Sequence, residues 1–112
     1  MQLDSSTISR QQKDFLALLG YNYLKSNKLE EATVVYQALY HLFPKSENFS
    51  FCLSYLYLKQ KQYEKALYYV EIYLAKKKGT QKLAYLIKSQ TLFNLGRLNE
   101  AKKCAQSYKR PN

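Results

Sequence analysis

The sequence predicts an all-α fold, in which three helix-turn-helix units stack on one another. Three observations carry this. The chain repeats itself: a shift of 34 residues brings Leu19, Tyr23, Leu29, Ala32 and Leu39 onto Leu53, Tyr57, Tyr63, Ala66 and Tyr73, and a further 35 brings the last four places onto Leu92, Leu98, Ala101 and Tyr108. Within a unit, apolar residues recur at helical spacing, as in Phe15, Leu16, Leu18, Leu19, Tyr23 and Leu24. Turn formers, Asn27, Pro44, Gly79 and Gly96, punctuate the periodic stretches. Self-similarity at such a period marks an architecture in which each unit buries its apolar face against its neighbours.

Taken in order, residues 1–8 are polar and lack apolar periodicity, so a frayed arm is expected there. Ser9 with Gln12 three residues on reads as a capping box, opening a first helix that runs to about Ser26. Asn27 can take the left-handed turn that ends it, and a second helix follows over about 29–42. Phe43-Pro44 closes that helix, because the residue before proline disfavours the helical region. Ser46 is the expected cap of a third helix over about 47–59, and the turn at Gln60-Lys61-Gln62 leads into a fourth over about 63–76. Gly79 supplies a stop needing positive φ, and Thr80 caps a fifth helix over about 81–95. Gly96 ends it, and a sixth helix runs over about 99–108 until Lys109-Arg110-Pro111. The extra residue in the second spacing falls in the connection over 76–81, where a loop absorbs it.

The first unit, with Leu16, Leu19-Gly20, Tyr23, Ala32, Tyr36 and Pro44 at a 34-residue period, resembles the tetratricopeptide repeat. The resemblance covers roughly residues 13–108. It implies one domain over 1–112, with repeats at about 13–46, 47–80 and 82–110, stacked in a right-handed superhelix. The first copy is closest to the family pattern. The second departs at Ser50, Val70 and Lys78. The third keeps Ser89, Leu92, Gly96 and Ala101 but has Lys88 at a core place and Ala105 where an aromatic belongs, so its stacking is expected to be looser.

Length and composition bound the function. A chain of 112 residues can bury roughly two thirds of its unfolded surface. No window approaches the apolar length of a membrane span and no signal-like start is present, so a cytoplasmic, soluble chain is expected. Cys52 and Cys104 lack metal-ligand spacing and read as two reduced thiols. His41 stands near a helix end, where a cation suits the dipole. Glu30-Glu31 open a helix and point about 100° apart, which suits the dipole rather than acid/base chemistry. No Gly-rich phosphate loop, metal-ligand spacing or matched nucleophile and base is present, so neither an enzyme nor a cofactor is expected.

The net charge of +10 is uneven: residues 1–50 hold five Lys or Arg against five Asp or Glu, and residues 51–112 hold thirteen against three. Such asymmetry suits an acidic partner or nucleic acid, and equally suits mere solubility. Scarce arginine, only Arg10, Arg97 and Arg110, and tyrosines Tyr36, Tyr57, Tyr63 and Tyr73 at repeat-core places argue against nucleic acid.

The family resemblance further implies a concave wall made by the first helix of each copy. Its places fall on Asp14, Ala17, Tyr21, Leu24 and Lys25, then Asn48, Phe51, Tyr55, Leu58 and Lys59, then Leu83, Leu86, Gln90, Phe93 and Asn94. Tyr21, Leu24, Phe51, Tyr55, Leu58, Leu86 and Phe93 are therefore the candidate partner-binding residues, rimmed by Lys25 and Lys59. The clamp for acidic C-terminal carboxylates known in the family is missing, since Ala17, Tyr21, Tyr55, Leu86 and Gln90 stand where its Lys, Asn and Arg would be. An amphipathic helix laid apolar side down is the expected occupant. A second candidate surface is the uncovered end of the stack, with Leu92, Leu95, Leu98, Ala105 and Tyr108.

In size and repeat number the chain is similar to the small tetratricopeptide chaperones of bacterial type III secretion, of the class that holds the needle subunit. That resemblance implies a chaperone sequestering a helix of a small secreted, self-assembling subunit, together with a small helical co-chaperone. The competing expectation is a general scaffold that docks an acidic partner through the basic C-terminal half.

Overall fold

The computed structural model describes residues 10–45, 48–76 and 81–109. Among the described residues six helices follow one another: α1 (Arg10–Lys25), α2 (Leu29–Leu42), α3 (Phe49–Lys59), α4 (Tyr63–Ala75), α5 (Lys82–Asn94) and α6 (Leu98–Lys109). No strand occurs among the described residues. Consecutive helices pair as hairpins, α3 lies on α2 and α5 on α4, and α3 also touches α5. Among the first helices of the units, α3 and α5 therefore adjoin along one side of a stack measuring 50 × 28 × 22 Å.

Each hairpin closes by the same backbone device. The N–H groups of Lys28, Gln62 and Arg97 donate to the carbonyls of Tyr23, Tyr57 and Leu92 at 2.8, 2.9 and 2.9 Å. One residue earlier, Asn27, Lys61 and Gly96 donate to Leu24, Leu58 and Phe93, each at 3.0 Å. Together these are the two bonds of a Schellman motif, which needs a left-handed residue at the turn. That residue is Asn27 at φ 60°, Lys61 at φ 62° and Gly96 at φ 80°.

Within a hairpin, the helices meet where side chains are small. A Cβ added at Gly20 would come within 2.9 Å of Tyr36 Cε2, so only glycine lets α1 and α2 approach as they do. Ser54 and Ser89 hold that place in the later units, buried, with hydroxyls donating to the carbonyls of Phe51 (2.7 Å) and Leu86 (3.2 Å). Ala32, Ala66 and Ala101 are the buried small residues on the second helix of each pair.

Two apolar clusters fill the stack. One gathers Ala32, Tyr36, Leu39, Phe49, Leu53, Leu56, Tyr57 and Ala66, and the other Leu67, Val70, Ala84, Ile87, Leu92, Ala101 and Cys104. Gln60 Nε2 ties α3 back to α2 through Thr33 Oγ1 at 2.8 Å. On the outer side the Tyr57 and Tyr69 rings stack at 5.6 Å, and Tyr40 and Tyr68 meet Tyr69 edge-on. Tyrosine is thus chiefly a packing residue here.

Several expectations are corrected. The helix α3 starts at Phe49, not near residue 47, and Asn48 at its start makes no side-chain cap bond. The helix α6 begins one residue before the expected Asn99. At two of the places where the second copy departs from the family pattern, Ser50 and Val70 are both buried. Tyr63 and Tyr73 are half-buried rather than core. Lys88 fills its core place by sending its ammonium to Glu71 on α4 at 3.5 Å. The third hairpin is not visibly looser, because Ala84, Ile87, Leu92, Ala101 and Cys104 share one cluster with α4. Both cysteines are free, Cys104 buried and Cys52 half-buried. The arm over 1–8, the Ser9 and Ser46 caps, Lys78, Gly79, Thr80 and Pro111 lie outside the described residues. No described helix is long and apolar enough to cross a membrane.

Candidate functional site

A groove of about 810 Å³ lies between the end of α1, α3 and α5. Leu24 and Lys25 come from the end of α1, with Asn27 and Leu29 from the turn and the start of α2. Phe51, Tyr55, Leu58 and Lys59 come from α3, and Leu83, Leu86, Ile87 and Gln90 from α5. The spacing explains the convergence. Phe51, Tyr55 and Leu58 stand at i, i+4 and i+7, and Leu83, Leu86 and Gln90 on α5 at i, i+3 and i+7, so each set lies on one helical face.

Of the seven candidate residues, Leu24, Phe51, Tyr55, Leu58 and Leu86 line this groove. Tyr21 and Phe93 do not. Tyr21 is exposed beside the groove, its ring 5.5 Å from Lys25 Nζ. Phe93 belongs instead to a second depression of about 710 Å³ at the end of the stack, with Leu98, Ala101, Lys102 and Ala105. Leu24 and Leu58, its equivalents in the earlier copies, line the groove instead. Leu92 leaves the end-face group altogether because it is buried, and Leu95 packs on the second cluster.

The groove residues differ in what else they do. Phe51 packs on the second cluster with its ring 5.2 Å from that of Tyr73. Leu58 touches both clusters, and Leu24 touches the first. These three form the floor and also hold hairpins together. Tyr55 and Leu83 are exposed and Leu86 is half-buried, so they form the part of the wall that packing does not require. Leu83 was on the predicted wall but not among the seven, and Leu29 and Ile87 were not foreseen there. Leu83 did leave a signal: the same repeat place holds the polar Asp14 and Asn48 in the other copies.

Electrostatically, Lys25 and Lys59 stand among the lining residues, and no acid does. Below the groove, burial first and the neighbouring Cys52 second push the Tyr36 phenol up to about 12. Burial likewise raises the Cys52 and Cys104 thiols, which keeps both protonated and slow to react. At the head of α6, Arg97 donates to both carboxylate oxygens of Glu100, at 2.7 and 2.9 Å, and so holds that carboxyl below its ordinary range. Such a site offers apolar area, two cations and amide groups at its rim. That suits binding a polypeptide surface.

A family model of the tetratricopeptide repeat matches residues 83–107. The match falls on the third copy, although the first carries more of the family's residues. No curated protein matches the chain. The chain is an all-helical repeat protein with a tetratricopeptide repeat at residues 83–107, a unit of a kind that serves protein–protein interaction.

Proposed function

We propose that the chain binds one amphipathic helix of a protein partner, apolar side down, in the groove between α1, α3 and α5. The single observation behind this reading is the apolar wall of the groove, in which Tyr55 and Leu83 are exposed and Leu86 is half-buried. A helix in a groove is held by anchors at i, i+3, i+4 and i+7, and its charged face stays in water. Lys25 and Lys59 at the rim favour acidic residues flanking those anchors. Burying such a stripe also prevents it from self-associating. On that ground, and on the likeness in size and repeat number to needle-subunit chaperones, the reading extends to a cytoplasmic chaperone for a small secreted, self-assembling subunit. A second small helical protein would complete the complex.

The test is titration of labelled amphipathic peptides, each beside a scrambled control of equal composition. Binding that prefers the amphipathic order, and falls at least tenfold in Tyr55→Ser and in Leu86→Asp, supports the groove. No preference for order, or no loss in either variant, contradicts it. One observation favours a second reading: the thirteen-to-three charge excess of residues 51–112. On that reading an acidic partner docks on the basic half, and binding collapses with salt while groove variants keep it.

A further inference from the structure

The repeat register shows what the outer face of α1 is built for. In α3, Phe49 and Cys52 pack on the preceding unit: the Phe49 ring lies 6.2 Å from that of Tyr36, and Cys52 packs against the cluster that holds Tyr36. In α5 the same two places hold Ala84 and Ile87, which are 1% and 7% exposed. In α1 they hold Phe15 and Leu18, which are 64% and 57% exposed. These are large apolar side chains at the places where a unit meets the one before it, and no earlier unit is present among the described residues. An end that faces only water would carry polar residues there.

We infer that two copies of this chain pair through α1, face to face about a twofold axis. Gln11, Phe15, Leu18 and Asn22 run at i, i+4, i+7 and i+11 along one stripe that holds no charge. An isologous contact sets each stripe against its own copy, so the two Phe15 and two Leu18 side chains form the centre and the amides the ends. Charge selects this partner and this end. Residues 1–50 carry five cations and five anions, so two N-terminal halves approach without net repulsion, whereas the thirteen-to-three halves repel. Head-to-tail continuation of the stack is disfavoured by α6. It holds Lys102 and Lys109 where α2 has Thr33 and Tyr40 and α4 has Leu67 and Leu74. Burying those ammonium groups against Phe15 would leave them unpaired. The contact uses on α1 the repeat places that α3 and α5 already turn against the unit before them.

The test is sedimentation equilibrium of the full chain over a wide concentration range, with helicity followed by circular dichroism. The expected mass is twice the 13.2 kDa of one chain. Leu18→Asp and Phe15→Ser, both at exposed positions, should each weaken the dimer by roughly thirtyfold or more, as loss of a central apolar anchor does, with helicity unchanged. The groove variant Leu86→Asp should dimerise like the parent, so a failure of the groove reading is visible separately. A monomer at every concentration, a dimer indifferent to both α1 substitutions, or a mass that grows beyond two chains overturns the inference.

Discussion

Position 61 holds a lysine in the left-handed region at φ 62°, in a turn where the other copies use Asn27 and Gly96. A side chain there costs about 1–2 kcal/mol, and glycine gives back about 0.5–1 kcal/mol through its greater freedom when unfolded. Lys61→Gly should therefore stabilise the chain by about 0.5–1 kcal/mol, seen as a rise of roughly 3–6 °C in thermal melting. Gly96→Ala should lose a similar amount, because a Cβ there meets nothing within 4 Å and only the backbone resists. Asn27 and Gly96 were legible from residue type. Lys61 was legible only through its register with them, since lysine by itself signals no such turn. Tyr36 gives a pH test. Its phenol rises from an ordinary 10 to about 12 on folding, so the fold prefers the protonated form. The contribution is whole below pH 10 and is lost as pH climbs towards 12, on the order of 2–3 kcal/mol. Tyr69, raised in the same direction by burial, adds to it. Melting temperatures from pH 9 to 12 should fall more steeply in the parent than in Tyr36→Phe, and equal slopes would remove the phenol from the account.

The helices and the site depend on different kinds of information. Helix placement followed from periodicity and turns, so that α2 has the expected ends and the others shift by a residue or two. What each groove residue does was harder to read. The repeat register places Phe51 on the wall, yet its ring also packs on Tyr73 of α4, because the angle between hairpins decides how much of α3 remains free. Hence Phe51→Glu should unfold the second and third units rather than simply empty the groove. Its expected cost is about 3 kcal/mol or more, measured as lost helicity or a lower urea midpoint. Tyr55→Ser should keep stability within about 1 kcal/mol, since that side chain is exposed, while weakening partner binding. Phe93 and Tyr21 stand outside the groove, although the register puts both on the wall. A linear register cannot show where a twisting stack carries each equivalent residue. Lys88 was legible as a polar residue at a core place, whereas its answer, Glu71 on the neighbouring helix, needed the fold.

Across the whole molecule, two surfaces compete to explain the chain: an apolar groove spanning three units, and a basic C-terminal half. They differ in range. Apolar burial is nearly indifferent to salt, whereas attraction between exposed charges fades beyond a Debye length of about 8 Å at physiological ionic strength. The charge asymmetry was plain in the sequence, and so were the apolar residues of the wall. Their closure into a groove of about 810 Å³ required the contact between α3 and α5. The most direct measurement is capture of partners from source cells after nuclease treatment, with the parent and Leu86→Asp chains washed side by side at low and then high salt. The groove account predicts one or two small helical polypeptides that survive high salt on the parent and are missing from Leu86→Asp. Partners that leave both chains together as salt rises would contradict it and make the basic half the working surface.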